Sequence, residues 1–206
     1  AEDVDEAAAE LIRAAQQGRF LSQWSSSSTV HTSAVDESGI ACAVTASSGY
    51  GSGEMPDGTG LWLNNGLGEI ELNRRDVDSR EPGERLPSNM APTVARSSNA
   101  TMAIGSPGAD RITTAIHQVL VNTLQFGMPL ADAIAHPRLH VDTTGEVDKL
   151  RAEPGLDLPA LDLPLQSFPD INMYFGGVSV ATFDRRSGFE VAADARREGG
   201  IFLSDA

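Results

Sequence analysis

The sequence holds little cysteine, few basic residues and no long apolar run, and each shortage excludes or disfavours a class of protein. Cys42 is the single cysteine among 206 residues, so an internal disulfide and a zinc site built from cysteines are excluded. No stretch approaches the roughly 18 consecutive apolar residues of a transmembrane helix. Lys and Arg number 15 against 29 Asp and Glu, a formal net charge of −14. Nucleic acid and anionic membranes repel such a chain, so we expect neither as a partner.

Three motifs of common enzyme chemistries are also missing. The four histidines show neither HExxH spacing nor paired cysteines, so structural histidines are favoured over metal ligands; they are His31, His117, His136 and His140. The glycine-rich stretch 49–53 is not followed by Lys-Ser or Lys-Thr and opens no helix, which disfavours a phosphate-binding loop. No G-x-S-x-G elbow marks a serine hydrolase. We expect no metal and no cofactor.

The chain has enough apolar material for a folded core. Its length fits one domain or two small ones, and its hydrophobic content of 40% is ordinary for a globular protein. The first residue is Ala1 rather than Met, and no charged segment followed by an apolar run stands near it. We therefore expect a processed product or a segment of a longer chain.

Periodicity divides the chain into a helical start and a longer region of hairpins. Residues 1–18 place apolar side chains at helical spacing, and the serine run 25–28 is typical of a linker. Turn signals and apolar stripes predict hairpins at residues 30–45, 92–105 and 177–192, and helices over 110–126 and 129–136. The apolar stripe of the longer helix includes Leu124. The proline-rich stretch 153–172 is expected to be irregular. This pattern predicts an α+β fold with layered antiparallel sheets.

Two local features could carry chemistry. GSPGAD at residues 105–110 runs straight into the longer helix, so unpaired N–H groups there could form an oxyanion hole or bind a carboxylate. An ordinary turn capped by Asp110 is the alternative. Thr29 stands where the serine run becomes a strand, and such a threonine is ordinarily a strand residue. It becomes a nucleophile, with its own amine as the base, only if the preceding peptide bond is cut.

Seven sequence blocks, in the expected order, resemble the small-subunit region of the γ-glutamyltranspeptidase family. Any one of them would be a weak signal, whereas seven in order are specific. They are TVHTSAVD (29–36), GTGLWLNN (58–65), LGE with LN (67–73), RLPSNMAPT (85–93), GSPG (105–108), AHPRLH (135–140) and ADARR (193–197).

The resemblance implies an N-terminal-nucleophile hydrolase fold, a four-layer αββα sandwich, and a precursor that cleaves itself at Ser28–Thr29. Residues 29–206 are then the small-subunit catalytic region, and residues 1–28 are a helical tail and serine-rich linker that end the large-subunit region. The resemblance further implies that the Thr29 hydroxyl attacks a γ-glutamyl amide, glutathione being the type donor. It places Ser47 beside the Thr29 amine, and the N–H groups of Gly108 and Ala109 in the oxyanion hole.

The resemblance also assigns substrate contacts, and here the sequence departs from the family pattern. Glu69 matches the acidic residue that binds the substrate's α-amine. Ser88 matches one of two serines that bind its α-carboxylate, and Asn89 stands where the second is expected. Ala109 replaces a glycine, which is tolerable if its φ is not strongly positive, and Gly66 replaces a Gln or Glu. Each lost hydrogen bond to the charged end of glutamate removes roughly 1–3 kcal/mol.

The resemblance favours an enzyme that hydrolyses or transfers γ-glutamyl groups. It implies a small-molecule γ-glutamyl substrate, the large-subunit portion of the same precursor as a partner, and a periplasmic or secreted location. A glutaryl or cephalosporin-type acylase of the same fold is an alternative, because contacts to the charged end of glutamate are eroded. A non-catalytic homologue is another, because 28 residues precede Thr29 and the mechanism needs a free Thr29 amine.

Overall fold

The computed structural model describes residues 29–69, 72–73 and 80–204. The helix and linker predicted within residues 1–28 lie outside the described residues. The strands and helices are β1 Thr29–Val35, β2 Ala41–Ser47, β3 Thr93–Arg96, β4 Ala100–Gly105, α1 Ile112–Leu124, α2 Leu130–Ala135, β5 Leu139–Asp142, β6 Lys149–Ala152, β7 Leu165–Ser167, β8 Ser179–Asp184 and β9 Gly188–Ala193. Single 3-10 turns lie at Gly66–Gly68, Ala109–Arg111, Met173–Phe175 and Ala195–Arg197. In the described ranges, no helix has the length and apolar character needed to cross a membrane.

Strands β1 and β2 form the first predicted hairpin. Their antiparallel register pairs Thr29 with Ser47 at the open end of the ribbon. At the closed end the Asp36 carboxylate accepts hydrogen bonds from the Ile40 N–H (2.8 Å) and from the hydroxyl of Ser38 (2.7 Å). This local turn fixes the register, and the register brings the first residue of β1 to the last residue of β2.

A four-stranded antiparallel sheet, in the order β3–β4–β8–β9, separates the helices from β1 and β2. On one face the neighbouring residues Ile104, Val180 and Ala192 join the apolar core with α1 and α2. On the other face the ring of His31 lies directly against Gly105, where an added Cβ would stand 2.2 Å from His31 Cε1. These elements therefore form three layers: helices, four strands and two strands.

Helix α1 confirms the longer predicted helix, with two differences at its ends. Its start at residues 109–111 is a 3-10 turn, because Gly108 and Ala109 have positive φ and cannot continue the helix. Ile112, Ile116 and Val119 are buried as the stripe predicts. Leu124, placed on the same stripe by the sequence pattern, is 69% exposed because it lies in the last turn, beyond the sheet.

A third sheet, in the order β5–β6–β7, corrects the prediction for residues 153–172. Strand β7 lies within that stretch and pairs with β6 in parallel, so the sheets are not all antiparallel. Its three residues are exposed and do not alternate between buried and exposed. The pairing continues through Leu150 N–H to the Pro164 carbonyl (2.9 Å) and Phe168 N–H to the Ala152 carbonyl (2.8 Å). A strand so short and exposed leaves no periodic signal in the sequence.

The ion pair between Asp142 in β5 and Arg151 in β6 should contribute less to the free energy of unfolding at acidic pH. Burial raises the pKa of Asp142, but hydrogen bonds from Thr144 and Arg151 outweigh this effect and lower the pKa to about 2. The stabilisation is therefore present above the unfolded-state pKa of 3.8 and is lost as the pH falls through about 2. Asp142→Asn should cost about 1–2 kcal/mol at pH 7 and less below pH 3 in urea unfolding. An equal cost at both pH values would contradict this assignment.

Candidate active site

Thr29 and Ser47 meet at the open end of the β1–β2 ribbon. Their hydroxyl oxygens lie 2.9 Å apart, within hydrogen-bonding distance. The Ser47 Oγ also accepts the N–H of Gly49 at 3.0 Å, which fixes the serine rotamer. Thr29 is half-buried, so its hydroxyl is positioned by the protein yet remains accessible. Ser47, which the resemblance places beside the Thr29 amine, is thus in direct contact with the Thr29 hydroxyl.

Gly49 brings Glu69 to the same end of the ribbon. Its φ is +61°, and a Cβ there would stand 2.4 Å from Glu69 Oε1 and 2.5 Å from Asn65 Oδ1. Only glycine therefore allows the carboxylate to approach the backbone beyond Ser47. Asn65 Oδ1 accepts the Tyr50 N–H at 2.7 Å, which closes the loop 50–65 against this position. The predicted substrate-binding carboxylate of Glu69 consequently lies beside Gly49, two residues along the chain from Ser47.

Buried Asn73 stabilises the loop that carries Glu69 through hydrogen bonds, a role that the sequence did not predict. Its backbone N–H donates to the Glu69 carbonyl at 2.8 Å. Its side chain donates to the Gly66 carbonyl at 2.6 Å and accepts from Arg80 at 2.5 Å. The LN sequence block at 72–73 is the signal that could have pointed to this role, because a buried asparagine amide needs hydrogen-bond partners.

Ser88 and Asn89 lie in an extended loop before β3. Ser88 is exposed, and its hydroxyl accepts the Met90 N–H at 3.2 Å in a local turn. Asn89 is half-buried. This geometry orients the Ser88 side chain within its own loop and does not by itself bring it to Thr29.

The turn before α1 contains two consecutive residues with positive φ, Gly108 and Ala109. Gly108 has φ +137°, and a Cβ there would stand 2.9 Å from the Gly176 Cα. Ala109 follows with φ +52°, in the left-handed region. The condition under which alanine replaces glycine freely is therefore not met. A left-handed alanine costs about 1–2 kcal/mol, and the surrounding contacts must maintain it.

The Ser106 side chain stabilises this turn through two hydrogen bonds. Its side chain is fully buried and donates to the Pro107 carbonyl at 2.6 Å, while it accepts the Gly177 N–H at 3.0 Å. Pro107 lines the same cavity as Thr29, a space of about 470 Å³ that Met173, Gly177 and Arg197 also border. Pro107 of the turn and Thr29 therefore border a common cavity, whereas Gly108 and Ala109 are not among its lining residues.

Asp110 and Arg111 connect the turn to His140 and Tyr174 through polar contacts. Burial raises the pKa of Asp110, but its interactions with His140 and Arg111 outweigh this effect and leave the pKa below its ordinary value. Arg111 donates to the Tyr174 carbonyl at 3.1 Å and stacks over the Tyr174 ring. Burial raises the pKa of Tyr174 to about 12, so its hydroxyl stays protonated. The polar groups behind the turn are thus held rigidly in place.

Ala109 gives a direct test of the strain in this turn. Ala109→Gly should raise the free energy of unfolding by up to about 1 kcal/mol, because relief of the left-handed alanine exceeds glycine's extra entropy in the unfolded chain. Exposed Ala131 in α2 is the matched control, since Ala131→Gly should lower stability by about 0.5–1 kcal/mol. Urea unfolding of both variants measures the difference. A loss of stability in both would contradict the strain.

His31, close to the Thr29–Ser47 pair, is a fully bonded structural residue. Its Nδ1 lies 2.7 Å from Thr45 Oγ1 and its Nε2 lies 2.8 Å from Ser33 Oγ. Ser33 donates its own proton to the Ser179 carbonyl, so it accepts from Nε2–H and leaves Nδ1 to accept from Thr45. Burial lowers the pKa of His31, which favours this neutral form. Within the described residues, no three His, Cys, Asp or Glu side chains cluster as metal ligands.

Comparison with known proteins decides the family. The sequence model of Gamma-glutamyltranspeptidase matches residues 2–204. The chain belongs to the γ-glutamyltranspeptidase family. It is 32% identical to the glutathione hydrolase proenzyme of Escherichia coli over 156 residues, which cover 69% of this chain and 27% of that protein. It is 29% identical to the capsule biosynthesis protein CapD proenzyme of Bacillus anthracis over 201 residues, 92% of this chain and 36% of that protein.

Solved structures agree with the family and give the fold. The γ-glutamyltranspeptidase of Pseudomonas nitroreducens complexed with L-DON superposes with a TM-score of 0.68 at 25% identity, covering 85% of this chain and 99% of that one. A cephalosporin acylase from Bacillus halodurans shares the fold alone, with a TM-score of 0.59 at 17% identity. The predicted α+β fold of N-terminal-nucleophile hydrolases is thus confirmed. The chain spans about a quarter of the length of the first curated relatives that it matches.

Two family sequence blocks, AHPRLH and ADARR, supply three charges of a buried four-charge network, and Glu153 supplies the fourth. Arg138 and Asp194 lie 2.7 Å apart, and Arg196 binds Glu153 at 2.5 Å and Asp194 at 3.2 Å. These four side chains are at most 2% exposed. The arginines also donate to backbone carbonyls of Ile134, at the end of α2, and of neighbouring turns. The network joins α2, β6 and the end of β9, and so supports one wall of the Thr29 cavity.

Proposed function

We propose that the full-length protein cleaves γ-glutamyl amides through an ester on Thr29, after its precursor cleaves itself at Ser28–Thr29. The observation that carries this proposal is the 2.9 Å contact between the hydroxyls of Thr29 and Ser47 at the start of β1, beside an open cavity. A threonine becomes a competent nucleophile there when its own amine is freed to act as the base. The family, whose curated relatives are named proenzymes, supports such processing.

The acylation step follows from these groups. The freed α-amine of Thr29 accepts the hydroxyl proton, directly or through a water, as Oγ1 attacks the amide carbon. The C–N bond then breaks, the proton passes to the leaving amine, and the acyl group remains as an ester on Thr29. Water or an acceptor amine attacks that ester and restores the hydroxyl. The N–H groups of Gly108 and Ala109 stabilise the developing oxyanion, and Ser47 orients the nucleophile.

Recognition of the donor rests on charge. Glu69 binds the α-ammonium of the γ-glutamyl group, which distinguishes this group from a glutaryl group that lacks the amine. Ser88 and Asn89 bind the α-carboxylate once their loop closes over the donor. The position of the Glu69 carboxylate beside Gly49, beyond Ser47, supports the first assignment. An asparagine in place of the second serine keeps a hydrogen-bond donor at that position.

The domain division is part of the same proposal. Residues 29–206 form the catalytic region, and residues 1–28 end the region that precedes it in the precursor. Residues 29–206 make up about 86% of the chain, and a comparable 85% covers 99% of the separate chain in the Pseudomonas nitroreducens structure. The remainder of the precursor is then the partner of this region.

Turnover of two anilides by the full-length protein tests the function. We expect release of p-nitroaniline from γ-glutamyl-p-nitroanilide to exceed that from glutaryl-p-nitroanilide. Glu69→Gln should lower kcat/KM for the γ-glutamyl compound on the order of 10- to 100-fold, because a charged hydrogen bond is lost, and leave the glutaryl rate nearly unchanged. Glu54→Gln, exposed on the preceding loop, is the matched control. A faster glutaryl reaction would indicate an acylase, and no turnover of either would indicate a non-catalytic homologue.

A further inference from the structure

The segment 172–177 packs directly against the turn at residues 105–109, and we call this segment the support turn. The two backbones lie closer together than side chains would allow. A Cβ on Gly176 would stand 2.7 Å from Ser106 Oγ, and a Cβ on Gly108 would stand 2.9 Å from the Gly176 Cα. Two glycines, one in each turn, therefore permit a backbone contact that any other pair of residues would prevent.

Three consecutive carbonyl groups of the support turn each accept a hydrogen bond from a different arginine. The pairs are Arg197 with Met173 (3.0 Å), Arg111 with Tyr174 (3.1 Å) and Arg138 with Phe175 (3.0 Å). Hydrogen bonds from charged donors are stronger than those from neutral donors. The three arginines stand next to the start of α1, the start of β5 and the end of β9. The position of the support turn is therefore fixed relative to three separate elements of the fold.

Arg111 connects the two turns directly. Its backbone N–H donates to the Gly108 carbonyl at 3.0 Å. Its guanidinium bonds the Tyr174 carbonyl and lies 4.3 Å from the centroid of the Tyr174 ring. A second connection runs from the Gly177 N–H to Ser106 Oγ at 3.0 Å. Because contact, guanidinium and buried hydroxyl all join the two turns, a shift of the support turn should displace the residues of positive φ in the first turn.

We propose that Gly176 is a positioning residue for the oxyanion hole, because its backbone sets where the N–H groups of Gly108 and Ala109 lie. This inference rests on the proposed function, which assigns the oxyanion to those two N–H groups. Ala109 has φ +52°, a conformation that persists only where surrounding contacts maintain it. The contact of Gly176 with the preceding Gly108 is one such constraint. A donor stabilises an oxyanion only when it is held at hydrogen-bond distance from the developing charge.

Gly176→Ala in the full-length protein tests this inference against a control with the same backbone strain. Gly176 has φ +86° and Gly188, at the start of β9, has φ +85°, but a Cβ on Gly188 would meet no described atom within 4 Å. The left-handed backbone should therefore cost both variants stability. Only Gly176→Ala should lower kcat for γ-glutamyl-p-nitroanilide, on the order of 10- to 100-fold with KM nearly unchanged, because oxyanion contacts form in the transition state. Rates are expressed per folded molecule, measured by circular dichroism.

Amide exchange at Arg111 gives a second readout that does not need turnover. Its N–H is bonded to the Gly108 carbonyl, so Gly176→Ala should accelerate hydrogen–deuterium exchange at Arg111 about ten-fold or more. Gly188→Ala should leave that exchange unchanged. Mass spectrometry with fragmentation of the peptide bearing Arg111 gives the rates.

Arg111→Lys keeps the inference testable if Gly176→Ala does not fold. Lysine keeps the charge but loses the planar group that bonds the Tyr174 carbonyl, so kcat should again fall while KM is nearly unchanged. Arg151→Lys is the matched control, because Arg151 lies over the same ring at 5.2 Å without bonding the support turn. Unchanged kcat in the folded variants, or unchanged exchange at Arg111, would overturn the inference. If the unsubstituted protein showed no turnover, the proposed function would fail instead, and exchange at Arg111 would decide the positioning by itself.

Discussion

Thr29→Ala in the full-length precursor is expected to leave the Ser28–Thr29 bond intact and to lower γ-glutamyl amide turnover to background. Alanine removes the oxygen that attacks in both reactions, and no neighbouring group replaces it, because the Ser47 hydroxyl has no free α-amine as a base. The loss should be on the order of 10⁴-fold or more, as for removal of other nucleophiles that act with a bound base. Gel electrophoresis and the anilide assay measure both effects.

Two variants of the same strand separate chemistry from folding. Thr29→Ser keeps the hydroxyl and the 2.9 Å contact with Ser47, so cleavage and turnover should be reduced but retained. Thr32→Ala, on the exposed side of β1, should leave both unchanged. Retention of turnover by Thr29→Ala would assign the nucleophile to another residue.

Glu153→Gln is expected to destabilise the protein by about 3–5 kcal/mol. The glutamate is buried against Arg196 at 2.5 Å, and it also accepts the Arg138 N–H and the Asn172 N–H at 2.8 Å. Removing one charge from a buried pair leaves the other without compensation in a medium of low dielectric, which is the costly way to break such a pair. The midpoint of urea unfolding measures the loss.

Exposed Glu190, in β9, provides the matched control for this substitution. Glu190→Gln removes the same charge from the surface and should change stability by less than about 0.5 kcal/mol. If Glu153→Gln were as mild as the control, the four-charge network would not be the support of the cavity wall that the structure shows.

The parts of the fold that the sequence predicted are those with local signals. The β1–β2 hairpin follows from alternation and from Asp36 and Gly39 in the turn, which act within a few residues. Strands β5 and β6 were not predicted, because four-residue strands leave too few alternations to detect. Strand β7 has no local signal at all, since its pairing partner lies 15 residues away in sequence.

The candidate site likewise has parts that the sequence predicted and parts that it could not predict. Resemblance predicted Thr29, Ser47 and Glu69, and the structure brings them to one end of the ribbon. The sequence could not predict the φ of Ala109, because backbone conformation there depends on the packing of Gly108 against Gly176. It also could not predict Glu153 as the partner of Arg196, because the two residues lie 43 positions apart in sequence and Glu153 belongs to no family sequence block.

The N-terminus of the catalytic chain is the most direct measurement of the central claim. The full-length protein is purified without protease and its chains are separated under denaturing conditions. Intact mass and N-terminal sequencing are then obtained for the smaller chain. The account predicts two chains, the smaller beginning at Thr29 with a free amine. An uncut precursor, or a cut at any other bond, would contradict it, because the mechanism requires the α-amine of Thr29 as its base.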